Sequence, residues 1–344
     1  MTRISEINIE KIGKLFVQKE IGPAINFAKY TQGKWETATF FIKKEFFTDK
    51  ETLFDLASLT KTFTATQILL LAKEKQLDLD AHPGDYLGFL KVIPSLRIAD
   101  LLDHTSGLIY LRSIEKNRRY SKEAIFNILS TGLKQENYGR FNYTDLGYIY
   151  LGWIIEKVTN RHLATNLQLF CKDYGLPHTT YHSNLPKGKI TFPTQRDLEP
   201  GEVQDEKARF LEKPVGHAGI FSSINDLMTY SKLWLENSFG FDQRLLRLAL
   251  NGKNETEDFL NNSPDFSGSK IYPETYGYVW RRGRYYPHLN LRNHAGHTGC
   301  MMHLDFENKE ALIYTTTFHY PSRSEKNKQR FLLWNWGIWN NLIT

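Results

Sequence analysis

Between residues 5 and 19 the apolar positions Ile7, Ile9, Ile12, Leu15 and Phe16 recur at helical intervals and predict an amphipathic helix. Two strand-like runs follow, 24–30 and 36–42, and the turn Thr31-Gln32-Gly33-Lys34 between them predicts a hairpin. Residues 58–76 contain neither Pro nor Gly, and Phe63, Ala65, Ile68, Leu69, Leu70, Leu71 and Ala72 nearly encircle a helix. A helix that is apolar all round belongs inside the molecule. From about 77 to 213 the pattern reads as helices joined by turns. A short helix at 98–102 ends near His104-Thr105-Ser106-Gly107, a second spans 122–130, and a strong amphipathic one spans 146–160. Polar loops carrying Pro177, Pro186, Pro193 and Pro200 come next. Residues 224–237 are helical again, capped by Ser222, Ser223 or Asn225. Strands are expected at 276–280, 301–306 and 311–317, and a final helix at 325–340.

This order predicts an α+β fold in which both ends of the chain share one antiparallel sheet, flanked by the terminal helices, with an all-helical region inserted. The expected division is a sheet domain from 1–65 and 220–344, and a helical domain with pocket-shaping loops from 66–219. There is no internal repeat.

Composition changes this picture little. With 41% hydrophobic and 24% charged residues among 344, the chain is a globular protein and not a disordered one. Its net charge of +6 is spread out. The short basic runs Lys116-Asn117-Arg118-Arg119 and Arg281-Arg282-Gly283-Arg284 carry no nucleic-acid module, so no nucleic-acid partner is expected. Cys171 and Cys300 make no disulfide framework and are expected as free thiols. Residues 1–22 lack the apolar core of a signal peptide, and no run approaches the roughly 18 apolar residues of a spanning helix. The expectation is a cytoplasmic protein with no membrane span.

Three short segments carry the candidate chemistry. In Ser58-Leu59-Thr60-Lys61 a helical spacing puts a hydroxyl and an amine on one face, about a turn apart. A neutral Lys61 would take the Ser58 proton, and a charged one would lower the cost of an alkoxide. The same four residues also fit a helix-capping Ser and an incidental Lys. Tyr143-Thr144-Asp145 stands directly before an amphipathic helix: Tyr143 is a candidate proton relay, or a packing aromatic, and Asp145 an alternative helix cap. In His297-Thr298-Gly299-Cys300, Gly299 lets a substrate lie against a strand edge, where the Cys300 N–H would join that of Ser58 around an oxyanion. His294 and His297 are interrupted by Gly296 and lack a carboxylate cluster, so no metal site is expected.

Taken together and in this order, the three segments resemble the S-x-x-K, Y-x-N and K-T-G set of the penicillin-recognising serine hydrolases. The chain resembles the class C β-lactamase-like hydrolases, which include D-alanyl-D-alanine carboxypeptidases, D-amino-acid peptidases and esterases. The likeness extends through Leu101-Leu102-Asp103-His104-Thr105-Ser106-Gly107-Leu108, Gly201-Glu202-Val203-Gln204-Asp205-Glu206-Lys207-Ala208 and Gly216-His217-Ala218-Gly219.

The resemblance implies a β-lactamase/transpeptidase-like fold, Ser58 as acylating nucleophile, Lys61 as its proton acceptor, Tyr143 as the base of deacylation and His297 in the place of the third-motif Lys. It implies no cofactor. Two departures stand out. Asp145 replaces an Asn that would donate to a substrate amide, and His297 replaces a fixed positive charge by a titrating one. The expected substrate is therefore a small ester or amide, including D-amino-acid derivatives, with a β-lactam last in order. His104, His217, Asp103 and Asp205 are expected in structural roles. A relative that binds a ligand or protein without turnover is the rival reading, and the intact Ser58, Lys61 and Tyr143 count against it.

Overall fold

Among the described residues the two ends of the chain meet in one antiparallel sheet of seven strands, in the spatial order Lys34–Phe41, Ala24–Thr31, Glu310–Thr316, Met301–Asp305, Leu291–Ala295, Arg281–Arg284 and Tyr272–Tyr276. The computed structural model describes residues 3–108, 138–186, 192–195, 197–251, 272–284, 291–321 and 324–339. The helix expected at 122–130 lies outside these residues. The first hairpin, β1 (Ala24–Thr31) and β2 (Lys34–Phe41), turns at Gln32 and Gly33, both at positive φ. Such a turn matches the twist of the flanking strands, and glycine takes it without steric cost. β1 then pairs with β10 (Glu310–Thr316), Ile25 opposite Thr316, which joins the N-terminal hairpin to the C-terminal strands.

Helices cover both faces of this sheet. On one side α1 (Ile9–Gln18) and the last helix, α9 (Glu325–Trp339), bury Ile12, Phe16 and Trp334 against Phe27 and Tyr314. The Phe16 and Trp334 rings meet edge to face with centroids 5.0 Å apart. On the other side lie α7 (Ile224–Leu235), capped by the Ser223 hydroxyl, and the helical region. With both faces covered, β9 (Met301–Asp305) and β10 are buried along their whole length.

The helical region is arranged around α2 (Thr60–Lys73), which is buried on every side of its first three turns. Its faces are not all apolar. Thr62, Thr64 and Thr66 are fully buried, and their hydroxyls donate to the Leu59, Gly216 and Thr62 carbonyls, so no polar group is stranded. Phe63 stacks on Tyr230 of α7 at 4.2 Å. Around α2 pack α3 (Ile98–Leu102), α4 (Asp145–Thr159) and α5 (Leu163–Tyr174). A small second sheet, β3 (Phe54–Asp55), β5 (Ile220–Ser222) and β4 (Thr180–Tyr181), ties the start of α2 to this region.

The strand expected at 276–280 is not one. β6 (Tyr272–Tyr276) ends there and β7 (Arg281–Arg284) begins beyond it. The N–H groups of Tyr278, Val279 and Trp280 instead donate to the Leu248 and Ala249 carbonyls in α8 (Gln243–Asn251). The apolar run therefore satisfies a helix C-terminus rather than a sheet ladder. β8 (Leu291–Ala295) was not evident as a strand, because its buried Arg292 and Asn293 are paired with α8 and with Arg281.

The turn after β8 packs directly on the segment that leads to Ser58. A Cβ on Gly296 would lie 2.2 Å from the Leu56 carbonyl oxygen, so only glycine fits without a backbone shift. Gly296→Ala is expected to cost about 1–3 kcal/mol of stability, as overpacking against rigid backbone does. Denaturant unfolding checks this, and an unchanged midpoint would mean that the two segments do not bear on each other.

Candidate active site

Ser58 lies in a single 3₁₀ turn, Ala57–Leu59, immediately ahead of α2. It does not cap the helix; Leu59 holds that position without a side-chain bond. The turn is strained, since Ala57 sits at φ +46, a region that L residues other than Asn and Asp rarely visit. Asp55 holds it there. One carboxylate oxygen accepts the Ala57 N–H at 2.8 Å and the other accepts the Gln204 N–H at 2.7 Å. Burial pushes the Asp55 carboxyl up to about 6, even though these two donors favour its charged form.

One turn on, the Lys61 side chain is completely enclosed, at 0% exposure. Its ammonium reaches the Ser58 hydroxyl oxygen at 3.0 Å, the His217 carbonyl at 3.2 Å and an Asp145 carboxylate oxygen at 2.7 Å. Three acceptors match the three N–H bonds of an ammonium. The other Asp145 oxygen meets Lys207 at 3.1 Å, Lys207 meets Asp205 at 3.3 Å, and Asp205 meets the His217 imidazole at 2.9 Å. The His217 carbonyl closes the circuit on Lys61. This ring joins α2, the start of α4, the start of α6 (Glu206–Leu211) and the loop before β5. Burial alone would raise the Asp145 carboxyl; Lys61, His217 and Lys207 outweigh it and hold it well below the usual range. Asp205 is held low against burial in the same way, by His217 and Lys207. Burial opposes the Lys207 charge, and the two carboxylates more than offset it, so its ammonium is held above the ordinary range.

Asp145, Asp205 and His217 place three ligand-type atoms within 4.8 Å of one another. The Lys207 ammonium already bridges the two carboxylates, and a cation there would meet its charge. The donor set therefore fits the lysine, not a metal ion.

Tyr143 is half-buried beside this ring, its own ring centroid 5.0 Å from the Lys61 nitrogen. His104 positions it. The His104 ring lies 4.4 Å from that of Tyr143, its Nδ1 accepts the Thr144 N–H at 3.3 Å and its carbonyl accepts the Asn142 N–H at 2.8 Å. Burial, helped by the Lys61 charge, pushes the His104 imidazole down to about 3, so it is neutral. Thr144, not Asp145, caps α4 through its hydroxyl, which leaves the Asp145 carboxylate for the two lysines.

The third segment closes the site from the sheet. The Thr298 hydroxyl donates to the Asp55 carbonyl at 2.8 Å. Gly299 sits at φ +117, and a Cβ there would come within 2.9 Å of Thr316 and Phe318. The Cys300 thiol is buried, pushed up to about 12 chiefly by that burial, and points at the Asp55 and Thr316 carbonyls. It is therefore no nucleophile. Among the described residues the backbone amide of Ser58 donates to no other group. His297 is half-buried, its ring 4.5 Å from that of His319.

The beta-lactamase family model matches residues 42–333. The chain belongs to the beta-lactamase family. It is a serine hydrolase, as the members of that family are. An N-acetylmuramyl-L-alanine amidase of Bacillus subtilis (strain 168) is 28% identical over 345 aligned positions, covering 85% of this chain and 74% of the relative. The fold is that of a class C β-lactamase from Rhodobacter sphaeroides, with TM-score 0.70, 17% identity, and coverage of 95% of this chain and 97% of that one. A β-lactamase/D-alanine carboxypeptidase from Pseudomonas syringae matches with TM-score 0.71 and 16% identity over 95% and 97% of the two chains. Among the described residues no helix is long and apolar enough to cross a membrane.

The structure brings Ser58, Lys61, Tyr143 and Asp145 together, and it brings Thr298 and Cys300 against the same segment through Asp55. Sequence reasoning passed over Asp55 and Lys207. Asp55 lies three residues before Ser58, and Lys207 lies within the loop 201–208 that resembled the family; neither has a spacing that announces its partner. Burial raises the Asp55 carboxyl to about 6 in the folded chain, from an ordinary value of 3.8. A raised folded value means that wild-type stability falls as pH rises from about 3.8 to 6, and the loss is complete above that. The stability of Asp55→Asn relative to wild type should therefore rise by about 3 kcal/mol between pH 3.5 and 7. Unfolding curves across this range check it, and a pH-independent difference would show that Asp55 does not titrate there.

Proposed function

We propose that this chain cleaves a small ester or amide through an acyl-enzyme on Ser58. The observation that carries the reading is the fully buried Lys61 ammonium, 3.0 Å from the Ser58 hydroxyl and anchored at 2.7 Å by Asp145. Ser58 Oγ adds to the substrate carbonyl carbon. Lys61, in its neutral form, takes the hydroxyl proton, and Tyr143 gives its phenolic proton to the leaving group as the bond to it breaks, which leaves a phenolate beside the Lys61 ammonium. The N–H groups of Ser58 and Cys300 donate hydrogen bonds to the carbonyl oxygen as negative charge develops on it. Water then attacks the acyl group, the Tyr143 phenolate takes its proton, and Lys61 returns its proton to the Ser58 oxygen as the acid leaves. These steps use only side chains, backbone amides and water.

The substrate reading follows from Asp145 and His297. Asp145 donates no hydrogen bond, and an ammonium already holds each of its oxygens, so a substrate amide finds no donor there. This favours esters and compact D-amino-acid derivatives over β-lactams. The names of the Bacillus subtilis amidase and the Pseudomonas syringae carboxypeptidase keep a peptide amide within range. His297, in the place of a fixed cation, would hold a substrate carboxylate only while protonated.

A side-by-side screen of p-nitrophenyl esters, D-amino-acid p-nitroanilides and nitrocefin tests this reading. Short-chain esters should turn over fastest and nitrocefin slowest, and Ser58→Ala should lower ester turnover by about a thousandfold or more. Ester turnover that survives Ser58→Ala would remove Ser58 from the chemistry.

A further inference from the structure

Lys207 is set between two carboxylates at the rim of the candidate site. Its ammonium lies 3.1 Å from Asp145 and 3.3 Å from Asp205, and its side chain is 13% exposed. The same Asp145 carboxylate is the counter-charge of Lys61. Two ammonium groups thus share one carboxylate. From the sharing we infer that Lys207 is a positioning residue that sets the proton affinity of the Ser58–Lys61–Tyr143 cluster. This assignment rests on the acyl-enzyme reading of Ser58.

The physical argument is one of charge distribution in a buried site. A carboxylate that serves a single buried ammonium favours the charged form of that ammonium strongly, because few other dipoles compete for it. A second ammonium on the far oxygen offsets part of that field. It makes the protonated form of Lys61 less favourable and so makes loss of its proton easier. Asp205 keeps Lys207 in place, since its carboxylate also caps α6 at the Ala208 N–H, 2.9 Å away, and binds the His217 imidazole. His217 in turn fixes Lys61 through its carbonyl.

Other aromatic and titratable groups face this cluster. Tyr143 and Tyr148 present their rings to the Lys61 nitrogen at 5.0 and 5.7 Å. His104, from the loop after α3, and His294, from β8, are both held neutral, chiefly by burial, and the Lys61 charge acts in the same direction. Asp55 and Asp205 repel each other from the turn side. Among these groups, Lys207 is the cation that bonds to the far oxygen of Asp145.

The test is the pH dependence of Ser58 labelling by a fluorophosphonate, which needs no knowledge of the natural substrate. In wild type the labelling rate should rise along an acid limb as the group that takes the Ser58 proton becomes free. In Lys207→Met that limb should move up by about one pH unit, with labelling slowed roughly tenfold below it and little changed well above it. Lys207→Arg should restore the limb to its wild-type position. Lys207→Gln, which keeps a donor without the charge, should shift as Lys207→Met does, and it decides the matter if Lys207→Met does not fold. A uniform loss of rate with an unmoved limb in the neutral variants would reduce Lys207 to a structural cross-link and overturn the assignment. Failure of wild type to label at Ser58 at any pH is a different result: it would overturn the acyl-enzyme reading, and this inference with it.

Discussion

The buried ammonium of Lys61 is the constraint around which the rest of this molecule is arranged. Taking an isolated ammonium out of water costs several kcal/mol even after relaxation, so it persists in a folded chain only where acceptors surround it. Here three do, and they come from three distant parts of the sequence: the turn before α2, the start of α4 and the loop before β5. Helical packing alone would allow α2 and α4 to slide or rotate against each other. The ion pair fixes their register, because the Lys61 head cannot be left without Asp145. Lys207 and Asp205 extend the same logic to α6 and return it to His217. The circuit therefore specifies one arrangement of segments that carry very little local structure of their own.

Backbone strain and close contact supply the other half of the precision. Ala57 is held in a left-handed conformation by the Asp55 carboxylate, and the Asp55 carbonyl is in turn held by Thr298. Such a conformation at a non-glycine residue persists only when its surroundings over-determine it. Gly296 against Leu56 brings the sheet up to the helical region with no side chain between them. The Ser58 turn is thus gripped from the sheet by backbone contact and from the helices by charge. A site gripped from both sides loses little entropy when it meets a substrate, which is the sense in which it is preorganised.

How much of this was legible in the sequence follows from the range of the forces involved. The first hairpin was readable because its turn needs two residues at positive φ and the sequence offers Gln32-Gly33. The burial of α2 was readable because its apolar residues encircle it; that its threonines are buried as well was not, since their hydroxyls are satisfied by carbonyls one turn back or far along the chain. Residues 276–280 read as a strand because an apolar run looks the same whether it joins a sheet or closes a helix end. Ser58, Lys61 and Tyr143 emerged from their order along the chain. Lys207 and Asp55 did not, since an ion pair or a carboxylate that accepts a distant amide leaves no periodic trace. Asp145 was seen as a departure from a familiar pattern, and the structure supplies its reason: Thr144 takes over the helix cap, and the carboxylate serves two lysines instead.

The central claim, that the buried Lys61 nitrogen takes the Ser58 proton and makes this hydroxyl a nucleophile that carries the acyl group, is tested most directly by acid-quenching the protein during turnover of p-nitrophenyl acetate and mapping its peptides by mass spectrometry. The account predicts one acetyl group, located on Ser58, that accumulates further in Tyr143→Phe as deacylation slows. Turnover with no acyl group on Ser58 in either protein would contradict it.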